Sequence, residues 1–340
     1  MHSKSKKTPA GALLICTGGG IGDSLLASVV ARALRGSYTH VDALTLPSHR
    51  GTLERVPDLD GVLVDDGEEE DALSDRIGDR NYAAAIVTWA TARAANIALR
   101  AGIPVRVGQA RRLYSGRFTD RVVVRSELGD VTSHWTDILL DYARALACDT
   151  PDHQPRFVPT AQDDADATAV LEKNALRSGE FFIVHPTNAI APVRGVWPSI
   201  GWITLVKALQ ERFAVPVGVS GTSSDVPIVR EIVDRTGARN LAATGGIGTF
   251  GSLAKRARAY VGITTGVMHV AAAVGCPTVG IFPFQSDFPE RWAPLGERTE
   301  VVRASYPCHR GDTKETCPDY ACIANLDVPR ILAATEMLLR

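Results

Sequence analysis

No apolar run in this chain approaches the roughly 18 residues needed to cross a bilayer, so a membrane span is not expected. An excess of positive charge is missing too: 37 Lys and Arg stand against 38 Asp and Glu, a net charge of −1. That balance argues against a nucleic-acid partner, which would call for a basic surface. A secretory leader is not evident either. Met1–Lys7 is basic, but the apolar stretch after it is short and strand-like. These absences together predict a cytoplasmic protein whose contact with a membrane would be peripheral at most. Cysteine is scarce, at six residues. Cys16, Cys148 and Cys276 sit alone in apolar contexts, as reduced core cysteines do. Cys308, Cys317 and Cys322 cluster near the C-terminus, with spacings that fit neither a zinc ribbon nor any other fixed metal pattern.

What the chain does have is 340 residues with 45% hydrophobic and 22% charged side chains, enough for two globular domains rather than one. Strand-like and helix-like patterns alternate throughout. In the first half the strands are expected at Ala12–Cys16, Val41–Thr45, Val62–Val64, Ala84–Thr88, Val105–Val107 and Arg121–Val124. In the second half they are expected at Phe181–His185, Val215–Val219, Ala259–Ile263 and Thr278–Phe282. The acidic stretch Asp65–Asp71 reads as a solvated helix start. Pro151, Pro155 and Pro159 mark a linker, dividing the chain into domains 1–158 and 159–340, with the last helix free to pack back on the first. The alternation predicts two α/β domains built on doubly wound parallel sheets, with ligands at the carboxyl ends of the strands.

Two glycine-rich strand-to-helix junctions occupy such ends. The first is Thr17-Gly18-Gly19-Gly20-Ile21-Gly22-Asp23 and the second Thr264-Thr265-Gly266-Val267-Met268-His269. Each would present helix N-terminal amides to an anion, and one per half suggests two lobes facing a shared cleft. Position 23 would be the third glycine of a dinucleotide fingerprint. It holds Asp23 instead, whose carboxylate would repel a pyrophosphate. Asp23 is therefore either a helix cap or a general base kept ionised by the helix N-terminus. Around the second junction, Thr264, Thr265, Gly266 and His269 suit a diphosphate. His185-Pro186-Thr187-Asn188, Ser220-Gly221-Thr222 and Phe284–Asp287 add polar loops at neighbouring strand ends.

The order of these motifs resembles glycosyltransferase family 9, the lipopolysaccharide heptosyltransferases, over almost the whole chain. Matching elements are Gly22-Asp23 before a Leu-rich helix, Thr265-Gly266 with His269 before an Ala-rich helix, Pro277-Thr278-Val279 through Phe282, and Asp287 through Gly296. Arg194-Gly195-Val196-Trp197-Pro198 approximates a basic-x-Trp-Pro element. Two positions depart from the family pattern: Thr264 replaces an Asp, and Gly195 replaces a Lys.

The resemblance implies a GT-B fold and an inverting, metal-independent transfer from a nucleotide-diphosphate sugar, ADP-heptose being the favoured donor. It makes Asp23 the base for the acceptor hydroxyl and places Gly20 and Gly22 beside the acceptor. The acceptor would be a glycan, glycolipid or small glycoside, and Arg111, Arg112 and Arg117 would meet its anionic groups. Thr187, Asn188, Arg194, Ser220, Gly221, Thr264, Thr265, Gly266 and His269 would hold the donor. No cofactor is implied for catalysis. Some members carry a similar cysteine-rich segment that binds metal, so Cys308, Cys317 and Cys322, with His309 as a fourth ligand, are candidates for a structural metal; reduced cysteines are the other reading. Two alternatives to the transferase are a degenerate GT-B protein that binds a nucleotide sugar without turnover, and an NAD-dependent sugar-nucleotide enzyme.

Overall fold

The computed structural model describes residues 8–186, 197–284, 287–307 and 317–340, with the side chains of residues 8 and 9 outside that description. The chain forms two compact units, Met1–Val158 and Pro159–Arg340.

In the first unit the strands are β1 (Thr8–Cys16), β2 (Tyr38–Thr45), β3 (Gly61–Val64), β4 (Tyr82–Val87), β5 (Val105–Gln109) and β6 (Asp120–Val122). Its helices are α1 (Ile21–Leu34), α2 (Pro47–Leu53), α3 (Glu70–Gly78), α4 (Ala92–Arg100) and α5 (Trp135–Arg144). All strand pairs are parallel, in the order β3-β2-β1-β4-β5-β6. Side chains alternate across the sheet as the pleat requires. Leu13, Ile15, Ala85 and Val87 join α3 and α4 in one core, while α1 packs on α2 and α5. Both faces being covered, the strands are apolar almost throughout.

The second unit repeats the plan. Its strands are β7 (Phe182–His185), β8 (Val217–Gly221), β9 (Arg239–Ala242), β10 (Ala259–Ile263), β11 (Thr278–Phe282) and β12 (Thr299–Arg303). Its helices are α6 (Ala161–Lys173), α7 (Ser199–Phe213), α8 (Val226–Thr236), α9 (Ile247–Arg256), α10 (Gly266–Ala273), α11 (Pro289–Trp292), α12 (Ala321–Ala324) and α13 (Val328–Leu338). The parallel order is β12-β11-β10-β7-β8-β9. Phe182, Val184, Val261 and Ile281 face the core built with α7, α8 and α13. Phe181, Ile183, Tyr260 and Phe282 face the other, built with α6, α9 and α10.

In both units the first strand is central, the second and third run outward on one side, and the fourth lies on the other. The order therefore reverses between β1 and β4, and again between β7 and β10. Loops leaving the carboxyl ends of such strand pairs diverge, and the crevice they leave is where doubly wound sheets bind ligands. One expectation is corrected here. Asp65 is not part of a solvated helix start: it is 4% exposed and accepts two hydrogen bonds from Arg93, at 2.9 and 2.7 Å. The guanidinium beside it holds its carboxyl below the usual range.

Candidate functional site

At the reversal point of the first unit, the loop after β1 and the loop after β4 enclose a small hollow. Gly18, Asp23, Thr88, Trp89, Trp135 and Leu139 are among its walls. Cys16 also lines it, 2% exposed, its thiol pushed up to about 12 by burial and so unreactive. The glycines there have defined tasks. Gly19 takes φ +70°, and a Cβ on it would lie 2.6 Å from the Asp23 carboxylate. A Cβ on Gly18 would lie 1.9 Å from the Trp89 indole. These bare backbones let one carboxylate and one indole lie directly on the loop.

Asp23 is the third residue of α1, and its Oδ2 accepts the Gly20 N–H at 2.7 Å. It thus completes a capping arrangement and faces the hollow as well. The capping reading of the residue is thus met in its geometry. Burial works against the helix N-terminus at this carboxyl. Burial pushes the carboxyl above its ordinary value, and the Gly20 amide and the facing His49 only partly offset this. Desolvation outweighs the helix N-terminus because the groups packed around the carboxylate replace water on most of its surface.

His49, on α2, is 4% exposed, with its Nδ1 3.0 Å from Ser24 Oγ. Burial lowers its pKa and Asp23 opposes that. The sequence reading missed His49, Thr88, Trp89 and Trp135. Thr88-Trp89 carried a signal, standing at the carboxyl end of the strand that flanks β1 across the reversal.

Gly20 is the N-cap of α1 and Gly22 is buried within its first turn. Of the three arginines, Arg112 pairs with Glu127 at 2.7 Å, while Arg111 and Arg117 make no ion pair among the described residues. Their loop lies beside the hollow's rim, since the Tyr114 hydroxyl donates to the Ala90 carbonyl, next to Trp89.

At the reversal of the second unit, β10 runs into Thr264 and Thr265, and Thr265 is the N-cap of α10. Gly266 opens that helix and His269, 6% exposed, stands one turn along. From the neighbouring strands come His185 and Ser220, joined at 3.0 Å. Burial lowers the His185 pKa to about 4, despite Asp225 nearby, so this imidazole is neutral. Asp225 accepts the Thr222 N–H at 2.8 Å and its hydroxyl at 2.6 Å, which fixes the Ser220-Gly221-Thr222 turn; a Cβ on Gly221 would lie 2.8 Å from Asp225.

Thr187, Asn188, Arg194 and Gly195 lie outside the described residues, as do Cys308 and His309. Among the described residues no group of three His, Cys, Asp or Glu side chains could hold a metal. Cys322 belongs to an apolar core, and the Cys317 sulfur accepts the Tyr320 N–H at 3.3 Å.

A third glycine junction went unread in the sequence. Gly245-Gly246-Ile247-Gly248-Thr249 repeats Gly19-Gly20-Ile21-Gly22-Asp23 with Thr in place of Asp. Gly246 caps α9 with φ −82°, ψ −175°, much as Gly20 caps α1 with φ −105°, ψ −177°. The same backbone device thus starts a helix in each unit, and the carboxylate occurs in the first alone.

Comparison with known proteins agrees with this geometry. Lipopolysaccharide heptosyltransferase 2 of Escherichia coli strain K12 is 25% identical over 320 residues, covering 87% of this chain and 89% of that protein. The structure of E. coli ADP-heptose lps heptosyltransferase II shares the fold with a TM-score of 0.78 at 22% identity, over 97% of this chain and 98% of that one. E. coli heptosyltransferase WaaC with ADP does so with a TM-score of 0.73 at 14% identity, over 96% and 99%. Among the described residues no helix is long and apolar enough to cross a membrane. The family model for glycosyltransferase family 9 (heptosyltransferase) matches residues 71–320, a span that holds the second junction but begins after Asp23. This chain is a glycosyltransferase with the GT-B fold, and it belongs to glycosyltransferase family 9.

Proposed function

We propose that this enzyme moves heptose from ADP-heptose to an acceptor hydroxyl with inversion at the anomeric carbon, without a metal, Asp23 serving as general base. The observation that carries this reading is Asp23 itself: a half-buried carboxylate with a raised pKa at the reversal point of the first sheet. In the reaction the acceptor O–H gives its proton to Asp23 as its oxygen bonds to C1, and the bond from C1 to the diphosphate oxygen breaks. A carboxyl whose pKa is raised by burial is a stronger base than an ordinary aspartate. Charge on the departing ADP is assigned to the second junction, with the first amides of α10, Thr264, Thr265, Gly266 and His269 as its donors. Ser220 and Gly221 shape the neighbouring loop, and Thr187, Asn188 and Arg194 are assigned to the same role. ADP in one structural relative and ADP-heptose in the name of another support this choice of donor. The acceptor is a glycan, glycolipid or small glycoside, and the sequence relative's name points to lipopolysaccharide.

The test is transfer from ADP-heptose to a deacylated lipopolysaccharide core oligosaccharide, run beside GDP-sugars, UDP-sugars and NAD. Heptosyl product of inverted anomeric configuration, formed equally fast in EDTA, is expected. Donor binding without turnover would instead mark a degenerate binder, a reading that Thr264 and Gly195 favour. Selective NAD binding would mark the third alternative. Isothermal calorimetry with ADP checks the donor residues: His269→Ala and Gly266→Val should each weaken binding, and unchanged affinity in both would reduce the second junction to a packing element.

The titration of Asp23 predicts the acid limb of kcat/KM. It should lie above the ordinary aspartate value of 3.8, because the folded-state pKa is raised. His49→Gln keeps a partner for Ser24 but removes the positive neighbour that lowers that pKa. The limb should then move to higher pH; a stationary limb would show that His49 does not act on the base.

A further inference from the structure

We propose that Trp89 is the stacking platform for a pyranose ring of the acceptor, set beside Asp23 by the bare backbone of Gly18. This inference rests on the reading of Asp23 as the acceptor-side base. Trp89 is 41% exposed although it lines the hollow with Asp23, and Trp135 and Leu139 are walls of the same hollow. Large aromatic groups are normally buried when nothing else requires them. Here the backbone is instead arranged to present one: any side chain on Gly18 would occupy the place of the indole, its Cβ falling 1.9 Å from Cδ1 and 2.3 Å from Nε1. The Tyr114 hydroxyl, held by the Ala90 carbonyl, fixes the following turn.

The lining selects its ligand by chemistry. Its walls are largely apolar, and the carboxylate of Asp23 stands among them. A phosphate or other anion would be repelled by Asp23. A purely apolar ligand would strip more water from that carboxylate and offer it no donor beyond the Gly20 amide it already holds. The hollow itself is too small for a ring, but a sugar standing on the exposed indole at its mouth satisfies both demands, offering a face of C–H groups to Trp89 and an edge of hydroxyls toward the base. The ring that stacks is the one whose hydroxyl attacks, because platform and base line the same hollow. Trp89 thus sets which ring of the acceptor is glycosylated and how it is turned; it holds no proton and makes no bond.

Two measurements on the full chain test this. In transfer from ADP-heptose to the deacylated core oligosaccharide, Trp89→Ala should raise the acceptor KM about tenfold or more, with the donor KM unchanged, as expected when an aromatic contact of this size is lost. Trp89→Phe should restore most of the loss and Trp89→Leu should not. Gly18→Ala, which displaces the indole, should reproduce the Trp89→Ala effect and add nothing to it in the double variant. Separately, saturation-transfer NMR with methyl α-D-mannopyranoside should show magnetisation passing from aromatic protons to the sugar's C–H groups in the wild type and losing most of its intensity in Trp89→Ala. An unchanged acceptor KM in Trp89→Ala, equal rescue by Leu and Phe, or NMR transfer that is absent or unaffected by the substitution would each overturn the platform. If the wild type saturates the glycoside through Trp89 yet never uses ADP-heptose, the platform stands and the proposed reaction fails.

Discussion

Asp23→Asn is expected to lower turnover by a factor on the order of 10²–10⁴, the usual cost of removing a general base, while leaving ADP affinity unchanged. The substitution is conservative in a way this site makes specific. Asn offers an oxygen in the same place, so the Gly20 N–H, now 2.7 Å from Oδ2, keeps its acceptor and α1 keeps its first turn. Asn also removes a charge that burial disfavours.

The sign of the stability effect follows from the raised pKa. An acid whose pKa is higher in the folded than in the unfolded chain binds its proton more tightly when folded. Its contribution to stability is therefore present at low pH and is lost as pH rises from the ordinary value of 3.8 through the raised one. At neutral pH the ionised group is a net cost that Asn does not carry. Asp23→Asn should melt no lower than the wild type at neutral pH and should show a flatter dependence of melting temperature on pH across the acid range. Turnover within threefold of wild type would remove Asp23 from the mechanism; a large fall in melting temperature would show its chief role to be the cap.

The fold was legible where strands are central. Ala259–Ile263 and Thr278–Phe282 are β10 and β11 to the residue, because strands buried on both faces are written as unbroken apolar runs. Of the edge strands, β3 and β6 were expected, but β9, Arg239-Asn240-Leu241-Ala242, and β12, Thr299-Glu300-Val301-Val302-Arg303, were not. An edge strand meets solvent on one side and carries charge there, so its sequence looks like a loop. The strand expected from Val215 begins at Val217, since Pro216 between them has no N–H for a ladder.

At the candidate site, Asp23 and the glycines were legible because one junction supplies them. His49, Trp89 and Trp135 were not, for they come from α2, the loop after β4 and the start of α5. The strand order alone brings those segments together, and strand order is not written in any local pattern. The raised pKa of Asp23 could not be foreseen either: it depends on what packs around the carboxylate, whereas the helix N-terminus, visible in the sequence, argues the other way.

Trp202→Ala should give the largest loss of stability, about 3–5 kcal/mol, the range for emptying a buried aromatic site. Trp202 lies on α7, fully buried in the core that β7, β8 and α13 share. Its ring packs on Trp197 at 4.7 Å and 60°. Trp197 in turn fits only because residue 201 is glycine, where a Cβ would lie 2.3 Å from the indole. Losing Trp202 therefore leaves Trp197 without its support at the start of α7.

Trp202→Phe separates shape from polarity. The buried Trp202 Nε1–H has no hydrogen-bond partner among the described residues, and such a group costs about 1–3 kcal/mol to desolvate. Phe removes that cost while keeping a ring against Trp197, so the smaller volume is partly offset and the loss should be well under half that of Ala. Calorimetric melting is the measurement, with Trp202→Ala lowering the melting temperature well below that of Trp202→Phe. A Phe variant as unstable as Ala would mean that Nε1–H is satisfied after all, and an Ala variant that melts like wild type would show that the paired tryptophans do not hold this face of the sheet.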